Sequence, residues 1–438
     1  MQVSLPRLRR TLHAAAALLA LAAPASAQRN RPNIVFLFSD DHAAHAISAY
    51  RPHLRYGARL PDTPRLDELA ASGMLFADAF VTNSICGPSR ATVLTGQYGH
   101  LNGVMTNLVE MHPATVTFPA LLRDAGYETA LFGKWHLRSA PAGFDHYEVL
   151  AGQGPYYNPT LLGPSDTVAY TGYTPDIVTT RALGWLRERA ADTRDGDARG
   201  ERPFLLMLHF NAPHRYWDPG PEQLGLFRDS VIEEPATLFD DGARRASGFV
   251  RQEMTLALDL FERDLKLTPP NNLTSAQLEQ WHAMYDAENE AFLAADADDV
   301  EALRWRYQRY IGDYMRSALA VDANVGRVLD FLRDAGLDEN TVVVYTSDQG
   351  FFLGDHGFFD KRWMYEESIR TPLLVRWPGV VAAGSVNRDL VMNLDLAQTL
   401  LELGGAPAPA SMQGESLVPL LRGRTPADWR DAIYYQYF

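Results

Sequence analysis

Five short apolar runs punctuate the chain: NIVFLF at 33–38, ETALF at 128–132, FLLMLHF at 204–210, TVVVYT at 341–346 and PLLVRW at 372–377. Their near-continuous hydrophobicity is the pattern of strands buried on both faces. Between them the spacing of apolar residues changes. Segments 65–72, 117–125, 176–191 and 307–335 read as helices. In the last of these, Tyr310, Met315, Leu319, Val325, Leu329 and Leu332 recur at helical spacing, and Gly336 supplies a stop. Strands alternating with helices predict an α/β fold: a large, mostly parallel or mixed central sheet with helices on both faces.

Three regions depart from this alternation. Residues 1–27 open with Arg7, Arg9 and Arg10, continue with a short apolar stretch and end at Ala25-Ser26-Ala27, the layout of a secretory signal peptide. The apolar stretch is too short to span a bilayer, and no later segment approaches that length. Within a main domain expected over 28–425, residues 218–305 are acidic and poor in strand signal. They are expected to form a helical insertion whose run Asp296-Ala-Asp-Asp-Val-Glu301 lies in solvent. The aromatic segment Tyr434-Tyr-Gln-Tyr-Phe438 is expected to belong to the start of a smaller C-terminal subdomain, 426–438, cut short in this sequence.

Composition narrows the function classes. The 438 residues carry a net charge of −14, and the total is more negative still without the three leader arginines. That leaves no electrostatic footprint for nucleic acid or an anionic membrane. An anionic substrate therefore needs a local basic pocket. The chain has a single cysteine, Cys86. In the oxidising compartment that the leader implies, periplasmic or secreted, it has no partner for an internal disulfide.

Polar residues gather where the predicted strands end. The first runs into Ser39-Asp40-Asp41, the second into Gly133-Lys134-Trp135-His136, the third into Ala212-Pro213-His214 and the fourth into Ser347-Asp348-Gln349-Gly350. In open α/β sheets ligands bind beyond the carboxyl ends of the strands, so these four segments converge on one edge. Three carboxylates and an amide oxygen make an all-oxygen set suited to a hard cation such as Ca²⁺ or Mg²⁺ and ill suited to zinc. Singly, each segment has a bland reading as a turn, a helix cap or a packed histidine.

The stretch Cys86-Gly-Pro-Ser-Arg90-Ala-Thr-Val-Leu-Thr-Gly96 resembles the signature of the type I sulfatases, on the alkaline-phosphatase-like scaffold. The resemblance implies that Cys86 is oxidised to formylglycine by a maturation enzyme. It implies a Ca²⁺ held by Asp40, Asp41, Asp348, Gln349 and residue 86, with Arg90 on the formylglycine hydroxyl. Lys134 and Lys361 would contact sulfate, His136 would act as base for its release and His214 as acid for the leaving alcohol. The helix that begins near residue 86 offers its N-terminus to an anion. Gly143–Tyr147, Gly152–Pro159 and Gly354–Glu367 look like sulfatases of 6-O-sulfated N-acetylglucosamine in glycosaminoglycan, mucin or related glycans. In that reading His356, Asp360 and Arg362 bind the sugar. Alternatives are an arylsulfatase, a phosphonate or phosphate ester hydrolase on the same scaffold, and a non-catalytic sulfoglycan-binding protein.

Overall fold

The computed structural model describes residues 31–194, 202–243 and 245–438; the predicted leader lies outside them. Among the described residues twelve strands form in chain order: β1 (Asn33–Ser39), β2 (Met74–Phe76), β3 (Ala79–Phe80), β4 (Glu128–Lys134), β5 (His146–Leu150) and β6 (Thr160–Leu162). They continue with β7 (Thr167–Ala169), β8 (Phe204–His209), β9 (Thr341–Ser347), β10 (Leu373–Arg376), β11 (Ser385–Asn387) and β12 (Val391–Met392). Ten of them make one sheet in the order β11-β2-β10-β9-β1-β8-β4-β5-β6-β7, and β3 pairs with β12 apart from it. The five strands from β9 to β5 run parallel. Beyond them the sheet is mixed, because β10 lies antiparallel to β9 and β6 antiparallel to β5.

The apolar runs occupy the middle of this sheet because they must be covered twice. On β1, Ile34, Phe36 and Phe38 face one core with helices α2 (Cys86–Thr95), α3 (Phe118–Asp124) and α7 (Leu396–Leu403). Val35 and Leu37 face the other core with α1 (Pro64–Ser72), α4 (Thr174–Arg194) and α6 (Asp299–Asp334). Successive side chains of a strand point to opposite faces, so an uninterrupted apolar run feeds both layers. The short strands β5, β6, β7 and β11 carry half-buried or exposed positions and have no such run.

Parallel pairing aligns the strand ends. Ser39 pairs with Ser347, Phe38 with His209, and Gly133 with His209, so the residues that follow β1, β9 and β8 and the last residue of β4 leave at one edge. At Gly133 φ is +97°, and a Cβ there would lie 1.9 Å from the His209 carbonyl oxygen. Only glycine permits that close approach just before Lys134.

Among the described residues, the region 218–305 is helical only at 247–251, in α5 (Ser275–Ala294) and at the start of α6; turns and irregular backbone make up the rest. The acidic run is exposed, as expected, and it also starts a helix. The Asp298 carboxylate accepts from the Val300 and Glu301 N–H groups at 3.0 and 2.9 Å, capping α6. The helix therefore begins eight residues ahead of the predicted boundary. Segment 426–438 packs against the main domain, with the Gln436 N–H donating to the Thr82 carbonyl at 3.0 Å.

Candidate active site

Cys86 is the first residue of α2, a helix whose ten residues are all buried. Its thiol lies 3.5 Å from Lys361 Nζ and 3.6 Å from Gln349 Nε2. One turn along, Arg90 donates Nε to Asp348 Oδ2 at 3.1 Å and Nη1 to the Lys134 carbonyl at 3.1 Å. Ser89 Oγ donates to the Asp348 carbonyl, tying the helix to the end of β9.

Asp40, Asp41 and Asp348 bring carboxylate oxygens within 4.8 Å of one another, and all three are fully buried. Tyr314, from α6, fixes the turn that carries two of them by donating to the Asp41 carbonyl at 2.7 Å and accepting from the Ala43 N–H at 2.9 Å. Burial and the neighbouring Asp40 carboxylate hold Asp348 well above the ordinary carboxylate range. Burial pushes Asp40 up as well, but Lys134, His214 and Arg90 overcome it and hold this carboxyl well below its usual value. Carboxylates this close resist joint ionisation until positive charge is placed between them. Gln349 Oε1 and Asp40 Oδ1 are buried without a hydrogen-bond partner. Two orphaned oxygens beside clustered carboxylates fit a hard divalent cation.

Two lysines reach the same cluster. Lys134 Nζ donates to Asp40 Oδ2, and Lys361 Nζ lies 2.5 Å from both Asp41 oxygens. His214 places Nε2 3.6 Å from Asp41 Oδ2, and its Nδ1–H donates to the Arg215 carbonyl at 2.7 Å. That bond leaves Nε2 as the nitrogen that gains or loses a proton. Burial lowers the pKa of His214, against the pull of Asp40 and Asp41. His136, at φ +60°, keeps a buried and unpartnered Nδ1. Burial, then Lys134, brings its pKa down to about 3, so it is a neutral imidazole able to accept a proton.

Asp40, Asp41, Cys86, Arg90, Lys134, His136, His214, Asp348, Gln349 and Lys361 thus come from six separate segments of the sequence to one buried site. Asp360 and Arg362 flank Lys361, with φ of +72° and +87°. Left-handed backbone at two non-glycine residues is uncommon and concentrates at functional sites. Both residues line a cavity of about 880 Å³, together with Arg215, Trp363, Tyr435 and Tyr437.

His356 is not brought to this cavity. Its Nδ1 is 2.9 Å from Asp240 and 3.4 Å from Arg245 Nη2, its Nε2 is 3.6 Å from Glu367, and it lines a separate cleft. It ties the loop carrying Lys361 to the region after β8. Glu367 first, then Asp240, raise its pKa against burial. A raised folded pKa stabilises the fold fully below the unfolded value of 6.5, and the contribution is lost as pH rises through the folded value. The melting temperature is therefore expected to fall more steeply from pH 6 to pH 8 in the native protein than in His356→Gln. Parallel slopes in thermal melts at matched pH would refute this role.

Sequence reasoning singled out neither Gln153 nor Asp264. The Gln153 side chain accepts from Lys134 Nζ and donates to Asp40 Oδ2 at 2.7 Å, bridging the Lys134 ammonium and a carboxylate. Asp264 holds Arg215, the residue after His214, through two bonds of 2.7 and 2.5 Å. Gln153 stands inside the Gly152–Pro159 stretch quoted for the resemblance, but nothing in that stretch marks its side chain, and the distant Asp264 carries no local signal.

A family model described as Sulfatase matches residues 32–406. The chain belongs to the sulfatase family. It is an enzyme that hydrolyses sulfate esters. An N-acetylglucosamine-6-O-sulfatase of Bacteroides thetaiotaomicron is 40% identical to it over 446 residues, covering 97% of this chain and 77% of that protein. A protein solved in complex with its substrate, D-glucosamine-2-N,6-O-disulfate, superposes with a TM-score of 0.86 at 40% identity, over 93% of this chain and 84% of the other. A phosphonate monoester hydrolase from Silicibacter pomeroyi aligns over 91% of this chain and 78% of its own, with a TM-score of 0.63 at 21% identity, a likeness of fold alone.

Proposed function

We propose that this sulfatase removes the 6-O-sulfate of N-acetylglucosamine or N-sulfated glucosamine in a glycan, using a formylglycine made from Cys86 and a Ca²⁺ held by Asp40, Asp41, Asp348 and Gln349. The observation that carries the reading is one buried arrangement: the Cys86 thiol within 3.6 Å of both Lys361 and Gln349, beside three clustered carboxylates. The relative at 40% identity, named for N-acetylglucosamine-6-O-sulfate, supports the choice of sugar. The leader at 1–27 makes the enzyme exported, and a formylglycine-generating enzyme is its maturation partner.

As a thiol, Cys86 is poorly suited to the chemistry. Burial and the Asp40 carboxylate push its pKa up, so the neutral thiol persists at physiological pH. The hydrate of formylglycine would supply two hydroxyls on one carbon, one to attack sulfur and one whose deprotonation releases sulfate. The calcium ion would supply a fixed positive charge for the sulfate oxygens. The rest falls to the side chains. Lys134 and Lys361 neutralise the sulfuryl oxygens, the role of cations in transferring a charged group. Arg90, locked to Asp348, orients residue 86. His214 protonates the departing sugar oxygen from Nε2, and His136, neutral and unpartnered, takes the proton that frees sulfate.

The test is sulfate release from defined sugars by enzyme co-produced with a formylglycine-generating enzyme. Turnover of 6-sulfated N-acetylglucosamine should exceed that of 3-sulfated glucosamine and 6-sulfated galactose. Chelation should abolish it and Ca²⁺ restore it. Preference for another sulfated position would overturn the substrate, and chelator-resistant turnover the calcium.

A further inference from the structure

We infer that the mouth of the 880 Å³ cavity is a second sugar subsite, built for a neighbouring residue that carries a carboxylate or sulfate, with Arg251 as its cation. The inference rests on the sulfated-glycan reading above and concerns what lies beyond the sugar that loses sulfate.

Size is the first ground. The cavity stands near the top of the range for small-molecule sites, about 300–1,000 Å³, more than one pyranose fills. Its lining includes Asp360 and Arg362, the chain neighbours of Lys361, and Arg215, the chain neighbour of His214, so the cavity lies beside the residues that surround Cys86. The rest of its volume has room for the next sugar.

Charge is the second. Of the three arginines that line the cavity, Arg215 is committed to Asp264 in a bidentate pair, and Arg362 is 3.0 Å from Asp360. Among the acids, Asp259 accepts from both the N–H and the hydroxyl of Thr255 at 2.7 Å. The Arg251 side chain has no ion pair or hydrogen bond among the described residues. Glu253 lies at the same rim, also without a partner among them, and is suited to accept hydroxyls. Against a polyanionic glycan, Arg251 is the complementary group, and an arginine fork matches a carboxylate or sulfate with two parallel bonds.

The third ground is how the rim is built. Arg251 ends the short helix Ser247–Arg251, whose Gly248 lies so close to Trp363 that a Cβ there would be 2.7 Å from the indole ring. Phe249 anchors the same helix in a cluster with Met254, Phe352 and Phe358. A glycine contact and a buried phenylalanine therefore hold Arg251 and Trp363 on one wall. Phe261 and Met364 stand 63% and 68% exposed around the same opening. Exposed aromatic and apolar side chains beside a free cation suit the apolar face and the acidic group of one sugar residue.

The experiment compares four substrates of the matured enzyme: the 6-sulfated glucosamine monosaccharide, two disaccharides joining it to a uronate with or without sulfate, and a disaccharide joining it to a neutral hexose. Arg251→Gln should lower kcat/KM about tenfold on the acidic disaccharides, the size expected for one charge-assisted pair. It should leave the monosaccharide and the neutral disaccharide unchanged. A loss only on the sulfated disaccharide identifies sulfate as the anion; an equal loss on both identifies the carboxylate. Gly248→Val, which displaces the wall, should show the same selective loss. Equal effects on all substrates, or none on any, would overturn the subsite while leaving monosaccharide turnover as evidence for the underlying function. Absence of turnover on every sulfated sugar would defeat both.

Discussion

Cys86→Ala is expected to cut turnover of a sulfated sugar by at least about 10⁴-fold, the scale of removing a covalent nucleophile from an otherwise intact site. The fold should survive. Alanine removes one sulfur from a buried helix end, and the thiol's only hydrogen-bonding neighbours among the described residues are Lys361 and Gln349, both held independently by Asp41. Circular dichroism and a melting temperature close to that of the parent would confirm that the loss is chemical. Cys86→Ser distinguishes a nucleophile from a hydrate: a serine can accept the sulfuryl group but has no second hydroxyl to expel it. It should therefore show a single burst of alcohol without sulfate release. Mass spectrometry of the matured parent should show a residue 86 that has lost H₂S and gained oxygen. Full activity with an unmodified thiol would end the assignment.

The centre of the fold was legible because its strands are covered twice and so are dominated by apolar residues, with polar ones mostly near their ends. That is why the runs in β1, β4, β8 and β9 stood out and why their ends marked the site. Helix α2 is buried all round and has no amphipathic face to reveal it; its motif did so instead. What escaped is what depends on tertiary approach. The antiparallel direction of β10 follows from the path after residue 350, which runs back along β9. Gln153 enters the site only because a loop with glycines at φ +60° and +74° on either side swings it against Asp40 and Lys134. His356 was expected among the sugar contacts because it is near Lys361 in sequence. The left-handed backbone at His356 and Asp360 turns the two residues toward different clefts.

His214→Ala tests the other half of the reaction, and its effect should depend on the leaving group. On the natural sugar alcohol a proton must reach the bridging oxygen as the sulfur–oxygen bond breaks, and losing a positioned acid costs about 10²–10⁴-fold. On an aryl sulfate with an acidic phenol the departing oxygen needs no proton, so the same variant should lose only a few-fold. The ratio of the two effects isolates acid catalysis from any general disturbance, which would lower both alike. The geometry also fixes the pH dependence. Because Nδ1–H is spent on the Arg215 carbonyl, acid catalysis needs a second proton on Nε2, and burial holds the pKa below 6.5. The kcat/KM of the parent on the sugar should therefore fall as pH rises through the lowered His214 pKa, earlier than an ordinary histidine would bring it down, while the His214→Ala profile loses this limb. Asp264→Asn, which loosens Arg215 without touching the imidazole, should weaken the same limb in part, since that pair holds the residue whose carbonyl fixes the ring. An unchanged limb in His214→Ala would mean that the proton comes from another group.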